Sequence, residues 1–488
     1  MSSNIKLPNT KLFINNEFVE PIHKKTIPVI NPTTGKEICQ VSEGDASDVD
    51  KAVKCAQDAL EGEWGQMSAE DRGKLMYKLA DLLEAEMERF VNLESLDNGK
   101  PLSGAREDLT VSIRCLRYFA GWCDKIQGKT IPINGQYTCF TKHEPMGVVA
   151  LIVAWNYPLM LLCWKLGPAL AAGCTIVAKP SEFTPLTSLL FCELVQKVLP
   201  KGVFNLVVGS GEVVGKALAE HMDIAKISFT GSTAVGKKIQ QAAASNLKKV
   251  TLELGGKSPN IIFDDADIEY SANCSINAIF ANMGQNCCAG SRLFVQENIY
   301  DAFVSFFTQK AKTLSVGNPF EDPNLGPLVS QIQLDRVLSF IEKGKSEGAT
   351  CHLGGKRKGE EGYFVEPTIF TNVTDEMTIA KEEIFGPVIS ILKFKTVDEV
   401  IKRANNTKYG LAAGVFTKDI SLAFNVTNKL KAGSVWINEY DLINPQIPFG
   451  GYKSSGFGKD LGSDSIDAYI NIKAVVVSHK TMFAQQKQ

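Results

Sequence analysis

Short apolar runs alternate with helix-length segments from Val148 onward. The first series of runs is VVALIVA (148–154), CTIVAK (174–179), FNLVV (204–208), KISFT (226–230) and VTLEL (250–254). One intervening segment opens with Thr184-Pro185, which is typical of a helix N-cap followed by proline at the first helical position. The alternation predicts a parallel sheet with helices on both faces, and such sheets bind ligands at the carboxyl ends of their strands.

A second series of strands and helices extends from about residue 260 to residue 450. Its candidate strands are LFV (293–295), VISILKF (388–394), AAGVFT (412–417) and SVWIN (434–438). A chain of 488 residues is longer than one hydrophobic core usually organises. The two series therefore predict an α/β protein with two doubly wound, Rossmann-like open-sheet subdomains.

The N-terminal part carries a hairpin and a helical region. Residues 11–19 predict a hairpin that turns at Asn15-Asn16, a pair suited to positive φ. Helices are predicted at 46–60, 68–96 and 102–126, where apolar residues recur at helical spacing. Nothing in these helices indicates chemistry, and we interpret them as a packing layer.

Two segments outside both series, 130–141 and 468–478, alternate apolar and polar residues. This alternation is typical of exposed strands, and lone strands of that kind are liabilities unless they pair. We therefore expect the two segments to meet each other across a subunit interface.

Composition argues against several functional classes. The net charge of −2 gives no bulk attraction to nucleic acid or to an anionic membrane. The apolar stretch 147–178 contains Asn156, Pro158, Lys165 and Pro168, so buried strands and a helix are predicted there rather than a membrane span. The 12 cysteines show no CxxC spacing, and the N-terminal residues show no targeting pattern. We expect a cytoplasmic protein that binds neither nucleic acid nor membrane.

Two adjacent cysteines stand between a helical run at 268–281 and the strand at 293–295. Cys287 and Cys288 lie in FANMGQNCCAGSR, whose small residues favour a turn. A cysteine on such a turn can be partly exposed, with backbone N–H groups nearby that favour a thiolate nucleophile. Free cysteines are usually small buried hydrophobic residues, so both interpretations stay open at this point.

Two glycine-containing turns after strands are candidate phosphate sites. In FTGSTAVG (229–236), Gly231 allows close backbone approach and Ser232 can donate a hydroxyl at a helix N-terminus. Thr233 occupies the middle glycine position of GxGxxG, so the standard dinucleotide pose is not predicted. The turn from Gly209 to Gly211, with Gly215, is a rival, and a simple helix cap explains either turn equally well.

Charged residues lie at the ends of two strands. Lys179 and Glu182, in KPSE, are suited to ribose hydroxyls, but a solvated ion pair explains them equally well. Glu253, inside an apolar strand, is predicted to be desolvated, which raises its pKa toward the range of a general base. The alternative for Glu253 is an ion pair with Lys257.

Two further motifs indicate little by themselves. Asn156, in WNYP directly after the strand 148–154, is a candidate oxyanion donor. An ordinary turn asparagine before Pro158 is the favoured interpretation when this motif is taken alone. The segment KEEIFGPV (381–388) reads as a charged helix end followed by a turn.

Six motifs occur in one order: WNYP, KPSE, FTGSTAVG, LELGGKSPN, GQNCCAGSR and EEIFGPV. Together they resemble the NAD(P)-dependent aldehyde dehydrogenase superfamily, over nearly the whole chain from FINNEF to PFGGYKSSGFGKDLG. The resemblance is strongest to the class 1/2 branch of cytosolic and mitochondrial, retinal- and acetaldehyde-type enzymes. It implies NAD-dependent oxidation of an aldehyde to a carboxylic acid.

The resemblance assigns catalytic roles. Cys287 matches the nucleophile, Cys288 its non-catalytic neighbour, Glu253 the general base, and Asn156 with the Cys287 N–H the oxyanion donors. A thiohemiacetal and then a thioester on Cys287 are implied. Hydrolysis is expected rather than acyl transfer to coenzyme A, because superfamily members that make that transfer lack this glutamate. The alternative is a catalytically lapsed, crystallin-like structural protein, although no catalytic position departs from the family pattern.

The resemblance also implies a cofactor cleft and a substrate tunnel. The expected cofactor-binding residues are Ile152, Val153, Trp155, Lys179, Glu182, Gly231, Ser232, Gly236, Leu254, Gln333, Glu383 and Phe385. The expected tunnel residues are Val111, Tyr157, Leu161, Trp164, Ala281, Asn286, Ile443 and Phe449. NAD is expected over NADP, because Glu182 would repel a 2′-phosphate. Family members often carry an aromatic residue where Ala281 stands, so broad aliphatic or retinal-like aldehydes are expected.

Three domains are implied. An NAD-binding domain covers 1–128 and 146–256, a catalytic domain covers 257–455, and an oligomerisation arm covers 129–145 and 456–488. The protein is expected to be a homotetramer, a dimer of dimers, without a metal site.

Overall fold

The computed structural model of the chain describes residues 5–479. The strands of its N-terminal half are β1 (Leu12–Ile14), β2 (Glu17–Val19), β3 (Lys25–Asn31), β4 (Lys36–Glu43), β5 (Thr130–Ile131), β6 (Tyr137–Pro145), β7 (Val148–Ile152), β8 (Thr175–Lys179), β9 (Phe204–Leu206), β10 (Lys226–Thr230) and β11 (Lys249–Glu253). The helices of this half are α1 (Ala46–Glu61), α2 (Glu63–Gln66), α3 (Ala69–Ala85), α4 (Met87–Asn98), α5 (Leu102–Ala120), α6 (Pro158–Ala172), α7 (Leu186–Val198), α8 (Lys216–Glu220) and α9 (Thr233–Ala242).

The C-terminal half continues the alternation. Its strands are β12 (Pro259–Ile262), β13 (Arg292–Gln296), β14 (Thr350–Leu353), β15 (Thr368–Thr371), β16 (Val388–Phe394), β17 (Ala412–Phe416), β18 (Ser434–Ile437), β19 (Gly456–Phe457) and β20 (Ile470–Ser478). Its helices are α10 (Ile268–Phe280), α11 (Tyr300–Lys312), α12 (Gln331–Ser346), α13 (Thr378–Lys381), α14 (Val397–Asn405) and α15 (Ile420–Thr427). Within residues 5–479, no helix is long and apolar enough to cross a membrane.

The first sheet has eight strands in the order β19-β11-β10-β7-β8-β9-β1-β2. The strands from β11 to β9 are parallel, and β19 and β1 flank them antiparallel. Every residue of β7, β8 and β10 is buried, as expected for parallel strands covered on both faces. The strand order reverses between β7 and β10, so the carboxyl ends of these strands border a crevice suited to a ligand.

The second sheet has seven strands in the order β14-β15-β16-β13-β12-β17-β18. All of its neighbours are parallel except β14 and β15. The prediction of two parallel-rich, doubly wound sheets is therefore confirmed. A third sheet, β3-β4, is a separate two-stranded hairpin.

The N-terminal predictions hold with changes at the helix ends. β1 and β2 form the predicted hairpin, with φ of 57° at Asn15 and 62° at Asn16. The helix predicted at 68–96 is two helices, α3 and α4, because Glu86 between them leaves the helical conformation with φ −101° and ψ 14°. The helix predicted at 102–126 ends earlier, at Ala120.

A separate three-stranded sheet, β20-β6-β5, contradicts one expectation. β20 pairs antiparallel with β6, beginning with Ile470 opposite Pro145. The expectation that the two alternating segments meet across a subunit interface is wrong, because they pair within one chain. The pairing leaves Ile472 and Val476 of β20 exposed, at 68% and 58%.

A buried ion pair links the C-terminal part of the chain to α6, next to the first sheet. Lys165 Nζ on α6 lies 2.6 Å from Asp460 Oδ2, and the two side chains are 0% and 1% exposed. The same ammonium donates to Ser228 Oγ on β10. Asp460 also pairs through its backbone with Phe449. Because neither charge reaches water, each is stabilised chiefly by the other.

Substitution Asp460→Ala should lower the free energy of unfolding by about 3–5 kcal/mol, because it leaves the Lys165 ammonium buried without its carboxylate. The midpoint of urea unfolding, followed by tryptophan fluorescence, measures the loss. The matched double variant, Lys165→Met with Asp460→Leu, removes both charges and should recover most of it. An unchanged midpoint for Asp460→Ala would contradict this account.

Candidate active site

The loop that carries the two cysteines begins with consecutive residues of positive φ. Asn282 (49°), Met283 (58°) and Gly284 (69°) reverse the chain after α10. A left-handed conformation costs roughly 1–2 kcal/mol for a non-glycine residue, so this turn depends on contacts from outside. Asn282 Nδ2 makes two of them, to the carbonyl oxygens of Asn156 at 3.0 Å and Gln285 at 3.2 Å.

Cys287 and Cys288 follow this turn and differ in exposure. Cys287 is partly exposed, whereas Cys288 is buried with 3% exposed. The Cys288 thiol lies 3.0 Å from Asp441 Oδ1. Hydrogen bonding with Cys287, and then burial, raises the pKa of Cys288 well above its usual value. Of the two thiols, Cys287 is therefore the one placed to react with a molecule from solvent.

Glu253 ends β11 with a buried carboxyl group. The residue is 4% exposed, and neither carboxylate oxygen has a hydrogen-bond partner among residues 5–479. Burial raises the pKa of Glu253 well above its usual value, and the nearby Asp460 carboxylate acts in the same direction. The alternative ion pair with Lys257 is not formed, because Lys257 Nζ also has no hydrogen-bond partner in the described part of the chain. The geometry is that of a desolvated general base.

Asn156 stands where β7 ends, and its neighbours hold it in place. Its Nδ2 donates to Gln285 O at 2.9 Å, two residues before Cys287. Its carbonyl accepts from Lys100 Nζ at 3.0 Å. Lys100 also forms an ion pair with Asp108 and lies 4.4 Å from the centre of the Tyr157 ring. An amide NH2 has two hydrogens, so one N–H of Asn156 remains for an oxyanion.

Trp155, the preceding residue, is held by the same helical layer. Its carbonyl accepts from Asn98 Nδ2 at 2.7 Å and from Thr184 Oγ1 at 3.2 Å. Thr184 is therefore not the N-cap of α7, as the sequence predicted. Pro185 takes that position, and the Asp97 carboxylate accepts from the first N–H of the helix at 2.8 Å.

The interpretation of the helical layer as packing alone is wrong. The end of α4 and its connection to α5 supply Asn98 and Lys100, both at most 2% exposed, to the loop that carries Asn156. The available signal was the run LDNGK, an unusual concentration of polar residues between two apolar helix faces. Buried polar side chains of this kind need partners, and here the partners are backbone groups of the candidate site.

The turn between β10 and α9 has the features of an anion site. Ser232 is the N-cap of α9, and its Oγ accepts a backbone N–H of the first turn. A Cβ at Gly231 would lie 2.5 Å from the Phe229 ring, and one at Gly236 would lie 2.5 Å from Leu254. Close packing thus requires both glycines, and the N-terminal N–H groups of the helix favour an anion.

Lys179 and Glu182 form an ion pair at the end of β8. Lys179 Nζ lies 3.2 Å from Glu182 Oε2, with the lysine side chain 4% exposed and the glutamate side chain 33% exposed. Lys179 Nζ also donates to Pro180 O at 3.1 Å. The rival glycine turn passes close by, since a Cβ at Gly215 would lie 3.9 Å from Lys179 Cδ. The carboxylate is the more accessible member of the pair.

Glu383, in the segment before β16, contacts the two glycines that follow β11. Its Oε1 accepts from Gly256 N at 3.0 Å, and a Cβ at Gly255 would lie 2.2 Å from its Oε2. Burial raises the pKa of Glu383 to about 7, against the opposing effect of the Gly256 hydrogen bond. The segment KEEIFGPV, which indicated no chemistry by itself, thus touches the LELGGK motif.

Residues expected along the cofactor cleft come together from both domains. The ring of Phe385 stands perpendicular to that of Trp155, with centroids 5.2 Å apart. The Phe385 carbonyl accepts from Gln333 Nε2 at 2.6 Å. Ile152 and Val153 are buried where β7 ends. These contacts bring Trp155, Phe385 and Gln333 together.

Five of the expected tunnel residues fall into two groups. Trp164 and Phe449 form a T-shaped ring pair with centroids 5.5 Å apart, and Leu161 is buried on the same helix as Trp164. Tyr157 and Ala281 line a cleft of about 320 Å³.

The other three expected tunnel residues are less open. Val111 and Ile443 are partly buried against the core of the first domain. Asn286 is 7% exposed, and its side-chain amide donates to Asp441 Oδ2 at 2.6 Å. The amide of Asn286 is therefore engaged within the protein.

Comparison with known proteins agrees with this geometry. The profile of the aldehyde dehydrogenase family matches residues 18–475. An aldehyde dehydrogenase of Emericella nidulans is 54% identical over 467 residues, which cover 95% of this chain and 94% of that protein. The mitochondrial aldehyde dehydrogenase of Rattus norvegicus is 53% identical, covering 96% of this chain and 91% of that one.

A solved structure extends the likeness to the fold. The NAD+ complex of the aldehyde dehydrogenase from Bacillus cereus superposes with a TM-score of 0.96 at 50% identity, covering 97% of each chain. The order of the six motifs, the two sheets and the cysteine–glutamate–asparagine site thus all lead to one conclusion. The chain belongs to the aldehyde dehydrogenase family.

Proposed function

We propose that this enzyme oxidises an aldehyde to a carboxylic acid with NAD+, through a covalent intermediate on Cys287. One observation carries the proposal. The turn that follows Glu253 packs against the partly exposed Cys287, since a Cβ at Gly256 would lie 2.3 Å from the Cys287 carbonyl oxygen, and the Glu253 carboxylate is buried without a hydrogen-bond partner in residues 5–479. A nucleophile beside a desolvated base suits covalent catalysis followed by hydrolysis.

The residues of the crevice fit NAD+ chemically. Glu182, at the end of β8, offers acceptor oxygens for ribose hydroxyls, and the Ser232 turn offers helix N–H groups for the pyrophosphate. Glu383 offers a second carboxylate for the other ribose. The Bacillus cereus relative was solved with NAD+. When bound, the cofactor supplies the hydride acceptor.

Acylation uses the Cys287 thiolate and two N–H donors. The Cys287 thiolate attacks the aldehyde carbon, which forms the C–S bond and places a negative charge on the former carbonyl oxygen. The free N–H of Asn156 and the backbone N–H of Cys287 stabilise this oxyanion of the thiohemiacetal. Loss of hydride from the same carbon then restores the carbonyl group and leaves a thioester.

Deacylation uses Glu253. Its carboxylate takes a proton from water, and the resulting hydroxide attacks the thioester carbon. The C–S bond breaks, the carboxylic acid leaves and Cys287 returns as a thiolate. Because burial raises the pKa of Glu253, the ionised fraction that can act as base rises as pH increases through that pKa. The rate of hydrolysis should therefore rise as pH increases through the raised pKa of Glu253.

Broad aliphatic or retinal-like aldehydes are part of the proposal. The small side chain of Ala281 lines the cleft of about 320 Å³ and leaves that side of the passage open. The Trp164–Phe449 ring pair still limits the width of the passage.

We also propose a homotetramer, supported by the apolar residues exposed on β20. A cytoplasmic location is supported by the absence of disulfides among the cysteines, all 12 of which are described and free.

Substitution Glu253→Gln should preserve the first turnover and stop the next. Stopped-flow absorbance at 340 nm with propanal should show one equivalent of NADH as a burst. The steady-state rate should then fall by about 100- to 10,000-fold, the range of general acid–base catalysis. Cys287→Ala is the control and should show no burst. Absence of the burst from Glu253→Gln would overturn the assigned role, and absence of any NADH formation with the wild type would favour a structural protein.

Substitution Glu182→Gln should raise kcat/KM with NADP by about tenfold, because it removes a carboxylate that would face the 2′-phosphate. The wild type should prefer NAD. Initial rates with both cofactors, at saturating aldehyde, measure the preference. Glu220→Gln, at an exposed glutamate that ends α8, is the matched control and should change neither value. Equal kcat/KM for both cofactors in the wild type would contradict the assignment.

Substitution Ala281→Phe should narrow the passage to Cys287. We expect kcat/KM for a bulky aldehyde such as retinal to fall by about 10- to 100-fold, within the range that shape mismatch in an apolar pocket produces. Propanal, measured on the same preparation, should be affected little. Ala281→Gly is the size control. A parallel loss for both aldehydes would place Ala281 outside the substrate path.

A further inference from the structure

Both residues that flank Cys287 are bonded to one carboxylate. Asp441 Oδ2 accepts from Asn286 Nδ2 at 2.6 Å, and Asp441 Oδ1 accepts from the Cys288 thiol at 3.0 Å. Asn286 Oδ1 in turn accepts from Cys288 N at 3.2 Å. These three bonds close a ring around the backbone of the nucleophile.

The residue before Asp441 adds a further bond to the same loop. Tyr440 Oη donates to Cys288 O at 2.8 Å, and the tyrosine is 6% exposed. Tyr440 and Asp441 therefore hold one side chain, one thiol and one carbonyl within two residues of the reactive sulfur. We name this pair the 440–441 clamp.

The clamp itself is fixed to the second sheet. It follows β18, where Asn438 has a φ of 54° and exchanges hydrogen bonds with the backbone of Thr417 at 2.9 and 3.0 Å. Asp441 has a φ of 62°, a region that aspartate tolerates better than most residues. Beyond it, Trp436 Nε1 donates to Leu442 O at 3.2 Å. Two left-handed residues and these side-chain bonds set the direction of the carboxylate.

The chemistry of the ring requires an acceptor at position 441. Both partners lie within hydrogen-bond distance of it, one through an amide N–H and the other through a thiol S–H that also lies 3.2 Å from Asn286 Oδ1. An ionised carboxylate accepts at both oxygens and donates nothing, so it satisfies both partners at once. Bonds to an ionised acceptor are also about twice as strong as neutral ones. An asparagine could satisfy only one of the two partners in this orientation.

We propose that Asp441 is a positioning residue, which directs the Cys287 thiol toward the aldehyde by holding Asn286 and Cys288 on either side of it. The inference rests on the proposed function for its kinetic consequence. Cys287 lies in a loop, outside any helix or strand, so the regular backbone hydrogen bonds of such elements do not fix the position of its thiol. Its sulfur lies 3.9 Å from Asn286 Oδ1, at the other end of the side chain that Asp441 holds.

Substitution Asp441→Leu, nearly isosteric and without polar atoms, tests the proposal. The burst rate constant of NADH formation should fall by about 100-fold, the loss that a displacement of roughly 1 Å produces at a reacting centre. The dissociation constant for NAD+, measured by quenching of tryptophan fluorescence, should stay unchanged. Asp441→Asn keeps one acceptor and should lose about tenfold or less. Glu439→Gln, at the neighbouring carboxylate, is the matched control and should behave as the wild type.

A double-mutant cycle separates positioning from general damage. Asn286→Ala breaks the same ring from the other side, so Asn286→Ala with Asp441→Leu should cost much less than the sum of the two losses. Additive losses would overturn the proposal, and so would a wild-type burst rate in Asp441→Leu. If Asp441→Leu fails to fold, the cycle is made with Asp441→Asn and read by the same criterion.

Thiol labelling tests the clamp without an aldehyde. Brief treatment with iodoacetamide, followed by peptide mass spectrometry, should label Cys287 and spare Cys288 in the wild type. In Asp441→Leu, release of the Cys288 thiol should make it reactive as well. A clamp without effect would leave Cys288 unlabelled in both proteins. Failure of the proposed function would give a different result. The wild type would form no NADH, while Cys288 would still be labelled in Asp441→Leu and spared in the wild type.

Discussion

The left-handed turn at Asn282 to Gly284 is the constraint on which the site depends. Its conformation is unfavourable for two of its three residues, so it persists only because other elements hold it. Asn156 and Asn282 share contacts at the end of the first sheet. A side chain at Gly284 would collide with Gly386 O, 2.1 Å from the position of its Cβ, which shows how closely the EEIFGPV segment packs there. The loop that carries Cys287 is therefore in place only when the segments that follow β7 and precede β16 are both folded.

Buried charge is treated in two opposite ways around this turn. Lys165 with Asp460, and Lys100 with Asp108, are paired charges whose burial is offset by their partners. Glu253 is buried with no hydrogen-bond partner in the part of the chain that the structure describes. A paired glutamate would keep a low pKa and would accept protons poorly, whereas desolvation alone raises its basicity. The fold thus bears the energetic cost of one unpaired carboxyl at the point where a base is useful.

Many strands of both sheets were predictable because parallel strands buried on two faces read as short apolar runs, although β12, β14 and β15 were not among the predicted strands. The hairpin at Asn15-Asn16 was predictable for a local reason, since two such residues tolerate positive φ. The pairing of the long strands β6 and β20 within one chain was not predictable. Alternation of apolar and polar residues shows that a strand is half exposed, but it does not show which chain the strand pairs with. The role of Asn98 and Lys100 was missed for a related reason: their targets are backbone carbonyls, which have no signature in the sequence.

The sequence by itself determined the family and predicted the reaction chemistry. The order of the six motifs predicted a nucleophile, a base and cofactor residues, because each role demands a particular side chain at a particular kind of strand end or turn. The tertiary structure alone decided which of two adjacent thiols is exposed, and that the carboxyl of Glu253 has no partner. It also turned Asn286 toward Asp441, 155 residues away in the chain. Exposure and hydrogen bonding are relations between distant segments, so they exist only after the chain has packed.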